Sequence, residues 1–330
     1  MEPVNPFISI IMPVYNGEEF LKETMESLLA QTYKNFELIC VDDSSLDGSL
    51  GLLKRYAERD SRIRIFTKPN EKLASFGVKF GLKKAVGKYY MYSSQDDLYS
   101  VNLLEELAEK ASTYDADVVV PNLVCYSGNK EDNSLRTFWS ETIPDPDNIT
   151  NIEAFVLSLD WKLHGFCLFK TSLVRKVGIY TFNYNSDEYT VRKLFLSCRK
   201  FAFCNGVFYY RINNPHAITK KMSIKLYDVF ETNEKLEILA QEQNVNHNII
   251  ILIRELALND VAVRQKFLYM KGHQLTKEDY EIAVRKTREA YLRIEGKHEL
   301  YRNNWVRKLF LTHGFCVLKL AMWVRSNIKK

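Results

Sequence analysis

Phe36-Glu37-Leu38-Ile39-Cys40-Val41-Asp42-Asp43-Ser44-Ser45-Leu46-Asp47-Gly48-Ser49 decides the fold class. A strand-length, mostly apolar run ends in two carboxylates. A segment with Leu50, Leu53, Tyr56 and Ala57 on one helical face follows it. A short apolar run bounded by turn residues and succeeded by helical period marks a strand buried on both faces of a parallel sheet. The same pattern recurs on either side. Phe7 to Met12 reads as a strand, followed by a helix through Phe20, Leu21, Met25, Leu28 and Leu29. Ile63 to Phe66 is a third strand and Ser75 to Val86 a helix, with Gly87 as its expected C-cap. Tyr89 to Tyr92 is a fourth strand, Asn102 to Thr113 a helix and Asp117 to Val120 a fifth strand. Strands alternating with helices predict βαβ units whose right-handed crossovers bring the strand ends to one rim.

Two acidic clusters therefore fall at that rim. One is Asp42-Asp43. The other is Gln95-Asp96-Asp97, just past the fourth strand in Tyr92-Ser93-Ser94-Gln95-Asp96-Asp97. Ligands of open α/β sheets bind outside the carboxyl ends of the strands. Pro13-Val14-Tyr15-Asn16 closes the first strand, so an aromatic ring and the Asp43 carboxylate stand at neighbouring ends. Such a pair can hold a nucleobase and accept from its ring N–H, while Asp96 can hold Mn²⁺ or Mg²⁺ against a diphosphate. The structural alternative is that these acids only form turns and helix N-caps, where Asp-Ser clusters are common.

The bulk properties narrow the class. The chain has 330 residues, 46% apolar, and a net charge of +5. Its six cysteines lie at no metal-ligand spacing and read as reduced core residues. No signal-peptide pattern opens the sequence, and no apolar run approaches the roughly 20 residues needed to cross a bilayer. A cytoplasmic enzyme is expected. From Leu300 onward there are seven Lys and Arg and no acid, with Trp305 and Trp323 among large aliphatics. This predicts peripheral attachment to an anionic membrane surface, against the alternative of a helical hairpin with a solvated basic face. A slightly acidic body argues against a nucleic-acid partner. A dinucleotide oxidoreductase is disfavoured because no G-x-G-x-x-G follows the first strand, and a sugar nucleotidyltransferase because no glycine-rich phosphate loop does.

Further along, Tyr126 to Asn148 is polar, with Pro144 and Pro146, and reads as a long loop or irregular hairpin. Residues 151 to 178 give two short helices around a strand at Gly165 to Phe169. Asp187 to Ser197 is a helix. Asn205-Gly206 predicts a two-residue hairpin between Lys200 to Cys204 and Val207 to Ile212. From Ser223 on, the chain reads as helical. Trp161 and His164 are candidates either for a sugar-binding groove or for ordinary packing.

Ser9-Ile10-Ile11-Met12-Pro13-Val14-Tyr15-Asn16, then Gln31-Thr32-Tyr33, Asp42-Asp43-Ser44-Ser45, Asp47-Gly48-Ser49, and Gly87-Lys88-Tyr89-Tyr90 leading to Gln95-Asp96-Asp97, resemble the opening of a family 2 glycosyltransferase. The resemblance covers roughly residues 7 to 215. It implies a GT-A fold and inverting transfer of a sugar from a nucleotide-sugar, UDP or dTDP favoured, to an acceptor hydroxyl. The setting it suggests is the synthesis of lipopolysaccharide, capsule or exopolysaccharide, with a glycan or lipid-linked acceptor.

Carried over by position, Pro13, Tyr15 and Asp43 match the base-binding segment. Ser94, Gln95 and Asp96 match the DxD motif, with Asp96 the expected metal ligand and Asp97 and His216 further candidates. Asp187 and Glu188 match the acidic pair of the acceptor half, Glu188 in the place of the general base. Two departures stand out. Ser94 replaces the first acid of the motif, and Gly77-Val78-Lys79 replaces Ala-Arg-Asn, leaving Lys72 or Lys79 to serve the diphosphate. The expected divisions are a nucleotide-sugar-binding half at 1–122, an acceptor-binding half at 123–220 and a helical region at 221–330. A catalytically impaired glycan-binding or scaffold protein on the same fold is the competing reading.

Overall fold

β1 (Ile8–Val14) and β2 (Phe36–Asp42) form the parallel pair on which the first part of the chain is built. Each is nearly uniform in burial because helices cover both faces of the sheet. Ile10, Met12, Leu38 and Cys40 face one core with Leu21, Met25 and Leu28 of α1 (Glu18–Leu29). Ile11, Ile39 and Val41 face the other with Val78 and Leu82 of α3 (Ala74–Lys84). The structure, a computed structural model, describes residues 8–128, 136–217, 220–302 and 304–327. Part of the expected irregular segment (129–135), and Lys329 and Lys330 of the basic tail, lie outside the described residues.

The chain divides into two units, Met1–Thr181 with Thr190–Asn214, and Phe182–Tyr189 with Pro215–Lys330. In the first, α2 (Ser49–Ala57) leads to β3 (Ile63–Thr67), and α3 leads to β4 (Tyr89–Tyr92). The parallel order is β3-β2-β1-β4. After the Asp96-Asp97 turn the chain reverses into β5 (Leu98–Tyr99), then α4 (Leu103–Tyr114), and β6 (Val118–Tyr126) follows. β7 (Arg136–Thr137) and α5 (Trp139–Thr142) precede α6 (Asn151–Leu159), which opens on a Thr150–Glu153 capping box. β8 (Leu168–Lys170) lies antiparallel between β4 and β6 and continues into α7 (Thr171–Val177). α8 (Ser186–Ser197) and β9 (Phe201–Arg211) follow, and β9 pairs parallel to β6 and antiparallel to β5. The α/β sheet with helices on both faces is thus present. β1, β2, β4, β6 and β9 all end toward the same rim.

Two expectations are corrected. Asn205-Gly206 is not a hairpin but a bulge inside the single strand β9. Val120 pairs Phe203 and Asn122 pairs Val207, so three residues of β9 stand opposite Pro121. Pro121 has no N–H to offer the ladder, and the freed Asn205 and Gly206 N–H groups both donate to Glu106 Oε2 at 2.8 Å. Gly87 is not the C-cap of α3, which ends at Lys84 with an extended Ala85. Instead the Gly87 N–H donates to Ser9 Oγ.

The second unit is helical: α9 (Val229–Glu242), α10 (His247–Lys271), α11 (Lys277–Arg293), α12 (Trp305–Thr312) and α13 (Phe315–Asn327). Its core gathers Tyr227, Leu258, Val261, Tyr291, Leu300, Leu318 and Met322. Arg254, almost buried on α10, donates twice to Glu237 of α9 and once to Glu295.

α3 approaches β1 closely because its contact row is Gly77 and Gly81. A Cβ at 81 would stand 2.5 Å from Ile11 Cγ2, whereas one at Gly51 on α2 would meet Arg55 Nη1 at an ordinary contact distance of 3.7 Å. Gly81→Ala is expected to destabilise the fold by about 1–3 kcal/mol, the usual cost of overpacking. Gly51→Ala is expected to stabilise it by about 0.5–1 kcal/mol. Urea midpoints of the two variants and the parent check both signs.

Candidate active site

β4 stops at Tyr92, opposite Ile11, while β1 runs on to Val14. Pro13 can therefore sit in a central strand, because the edge it leaves without an N–H has no partner strand there. On the helix side Pro13 meets Gly77. Just beyond, the Gln95 amide substitutes for a strand partner. Its Oε1 accepts from Tyr15 N at 2.8 Å and its Nε2 donates to Tyr15 O at 3.1 Å. Thr24 Oγ1 donates to Gln95 O, and a Cβ on Gly17 would collide with the Gln95 side chain. The Tyr15 ring is left exposed at the rim.

The two loops past β1 and β2 are fastened together. Asn16 N donates to Ser45 Oγ, Gly17 N to Ser49 Oγ and Glu18 N to Asp47 Oδ2. In return Gly48 N donates to Glu18 Oε2 and Leu46 N to Asn16 Oδ1. Asp47 and Ser49 thus serve N–H groups around the start of α1 that the helix itself leaves unbonded.

Asp43 sits next to Tyr15, because its N–H donates to Val14 O. Its side chain is buried and Oδ1 accepts from Lys68 Nζ at 2.6 Å. Lys68 also reaches Pro69 O and Glu71 Oε2. Burial pulls the Lys68 pKa down, but the hydrogen bonds to Asp43 and Glu71 outweigh it, and the ammonium is held above its ordinary range. The second Asp43 oxygen, Oδ2, takes no hydrogen bond from the described residues. Sequence reading missed Lys68. The available signal was register, since Thr67 pairs Asp42 and the next residue of each strand must meet.

Asp96 is half-buried, and both its oxygens are oriented: Ser94 Oγ donates to Oδ1 and Asn214 Nδ2 to Oδ2 at 2.7 Å. Asp97 points inward and is 1% exposed. Its Oδ1 accepts from Arg211 N at 2.9 Å and its Oδ2 has no partner among the described residues. Burial, then the Asp96 charge, pushes the Asp97 pKa well up. Arg211, also missed in the sequence, donates through Nε to Asp96 O at 2.6 Å and ion-pairs with Glu23. Its guanidinium lies over the rings of Phe20 and Tyr126.

The rim thus brings Pro13, Tyr15, Asp43, Ser94, Gln95 and Asp96 together. Lys72 is exposed in the loop before α3 at φ +66°, and Lys79 is exposed on α3 itself. Asp187 and Glu188 occupy the first turn of α8, and those residues and His216 belong to the second unit. His164 is buried. Among the described residues no three His, Cys, Asp or Glu gather around a metal position. Asp96 offers one outward carboxylate, which suits a hard cation that takes its remaining ligands from substrate phosphates.

Residues 9–178, just over half of the chain, match the profile of the family described as Glycosyl transferase family 2. Glycosyltransferase GlyG of Streptococcus pneumoniae serotype 4 is 29% identical over 219 residues, 62% of this chain and 70% of GlyG. The cholesterol galactosyltransferase of Borreliella burgdorferi is 27% identical over 230 residues, 66% of this chain and 63% of that protein. Residues 1–349 of S. aureus TarS, solved with UDP-GlcNAc, superpose with a TM-score of 0.68 at 14% identity, covering 98% of this chain and 91% of that one. At that identity the likeness is one of fold, and the TarS fold is GT-A.

The Lys68–Asp43 pair is open to a double-mutant cycle. Lys68→Met leaves the Asp43 carboxylate buried without its partner and is expected to cost about 3 kcal/mol, within the range for breaking a buried pair. Adding Asp43→Asn is expected to recover at least about 1 kcal/mol of that loss through coupling. Urea unfolding of the four proteins measures it, and additive losses would show that the two side chains are not coupled.

Proposed function

This chain belongs to glycosyl transferase family 2, and on that premise we propose that it moves a sugar from a UDP- or dTDP-sugar to an acceptor hydroxyl with inversion, in the building of a bacterial surface polysaccharide. One observation carries the reading. Asp43, Tyr15 and Asp96 stand at the ends of the neighbouring strands β2, β1 and β4, so that a nucleotide-sugar can lie along the rim with its base at Asp43 and Tyr15 and its diphosphate toward Asp96. TarS, of the same fold, has been solved with UDP-GlcNAc. Asp43 Oδ2 accepts the ring N–H of uracil or thymine, and Pro13 and Tyr15 pack against the base. Lys72 and Lys79 are the proposed cations beside the diphosphate.

In the reaction, the acceptor O–H proton passes to the Glu188 carboxylate as the oxygen bonds to the anomeric carbon. The bond from that carbon to the diphosphate oxygen breaks, and its electron pair leaves with the nucleoside diphosphate. The transition state has oxocarbenium character. Glu188, with Asp187 beside it, takes this role on its match to the family pattern, and His216 is proposed on the same footing as a cation ligand. Mn²⁺ or Mg²⁺ held by Asp96 and the donor phosphates would neutralise charge developing on the departing diphosphate. Ser94 and Asn214 aim Asp96, and Asp97 with Arg211 supports the turn from beneath.

The reading includes a lipid surface on the cytoplasmic face of the cell membrane. On α12 and α13, Trp305, Leu320 and Trp323 are 74%, 62% and 52% exposed, among Arg307, Lys308, Lys319 and Arg325. Among the described residues no helix is long and apolar enough to cross a membrane. Exposed indoles with basic neighbours suit an interface. The cholesterol galactosyltransferase relative supports a lipid-linked acceptor.

A melting screen tests the donor. At a hundredfold excess over its Kd, a UDP- or dTDP-sugar is expected to add about 2.7 kcal/mol of stability. Asp43→Ala should then raise the donor KM more than it lowers kcat. Stabilisation by GDP-sugars alone would overturn the base assignment. In the same assay Glu188→Gln should bind donor as the parent does and turn over about 10²–10⁴ times more slowly. Full activity in that variant would remove Glu188 from the mechanism.

For the membrane, Trp305→Ser with Trp323→Ser should sediment with vesicles of anionic phospholipid much less than the parent does. The parent should be released by high salt. Equal sedimentation of the two would refute the attachment.

A further inference from the structure

Trp161 combines two properties that rarely coincide. Its indole is 41% exposed, and its backbone is left-handed at φ +65°. L side chains of this size seldom adopt that region, because Cβ crowds the following carbonyl. Packing beside Phe166 uses the ring only in part, so the strain points to what its exposed portion does.

The loop that presents it is firmly built. Leu163 and His164, two and three residues on, are each 2% exposed. Leu163 N donates to Leu157 O at 3.0 Å. The His164 ring is bonded on both sides, Nδ1 accepting from Phe166 N at 3.3 Å and Nε2 lying 2.9 Å from Pro121 O. Burial drops the His164 pKa to about 4, so the ring stays neutral and the anchor does not change near neutral pH. Arg192 donates to Ser158 O from the other side. Trp161 is a preorganised projection, not a floppy loop tip.

Its neighbours define a surface. The Trp161 ring lies 6.1 Å from that of half-buried Phe166, which stacks on buried Phe208 at 4.4 Å and lies 5.5 Å from Tyr210 and 6.4 Å from Tyr92. Tyr92 ends β4, four residues before Asp96. Tyr210 precedes Arg211, whose Nε holds the Asp96 carbonyl. The aromatic cluster therefore reaches from Trp161 to the ends of β4 and β9, the two strands that flank the Asp96 turn. Asp160 and Lys162, exposed and ion-paired at 2.9 Å, flank the indole with polar groups.

We propose that Trp161, backed by Phe166, is a stacking site for a neutral hexopyranose of the acceptor. The preferred ring has an unbroken face of axial C–H bonds, as in β-glucosides and β-galactosides. That face lies against the indole, and the Asp160 and Lys162 side chains meet the hydroxyls at the ring edge. The proposal rests on the transfer reading above, because it takes the occupant to be the acceptor that the Asp96 rim must serve.

The probes are methyl β-D-glucopyranoside and methyl β-D-galactopyranoside, read by saturation-transfer difference NMR, with UDP-induced melting shifts measured in parallel. The parent should saturate the ring C–H protons of at least one glycoside. Trp161→Phe should keep most of that signal and Trp161→Gly should lose about tenfold in affinity, as truncation of an aromatic anchor does. Trp161→Gly should also melt about 2 °C higher, because glycine relieves the left-handed backbone.

No saturation of either glycoside by the parent, an undiminished signal in Trp161→Gly, or a fall in its melting temperature would each overturn the site. Failure of the parent to respond to UDP would instead count against the donor reading, and the two failures are thus distinguishable.

Discussion

β4 ends three residues before β1 does, and the site is arranged around that mismatch. Had β4 continued alongside β1, Pro13 would have broken a ladder and Tyr15 would have been covered. Because it stops, the chain turns inward at Ser93, and Gln95 returns across the gap to take both backbone groups of Tyr15. Asp96 is then left at the mouth of the notch. The turn also reverses the chain into β5, which ties the notch to β9 and so brings Arg211 and Asn214 to it.

The electrostatics of the notch follow from how its adjacent acids are placed. Two carboxylates in adjacent positions repel, and here Asp97 is withdrawn into the core, where burial and the neighbouring Asp96 hold its pKa up, while Asp96 stays half-buried at the rim. A third acid at position 94 would have added to that repulsion. Ser94 supplies a donor to Asp96 instead. The Asp43 end is organised differently, since Asp43 and Lys68 are both buried and paired, with Glu71 as a second partner of the ammonium. The substitution at position 94 therefore reads as a redistribution of charge and hydrogen bonding around Asp96, not as the loss of the acidic turn.

Most of the first unit was legible because its strands are buried on both faces. Such strands announce themselves as short apolar runs, and the motif acids fall at their ends. What escaped was whatever depended on register or on a choice between two uses of the same residues. Lys68 matters only because β3 pairs in register with β2, and no local pattern states that. Arg211 looked like the end of a strand, because its partners lie over a hundred positions back. Asn205-Gly206 has the chemistry of a tight turn and also that of a bulge. Pro121 and Glu106, distant in sequence, select the bulge. His164 could be either groove or core by sequence, and the Pro121 carbonyl decides for the core.

Gln95 makes the two ends of the notch mechanically one body. Its side chain is fixed to the backbone of Tyr15, and its own peptide leads directly into Asp96. A displacement felt at the aromatic ring is carried to the carboxylate through a single residue, with little slack to absorb it. A ligand that moved the Tyr15 backbone would move Asp96 with it, and by thermodynamic reciprocity such a coupling would run both ways with equal strength.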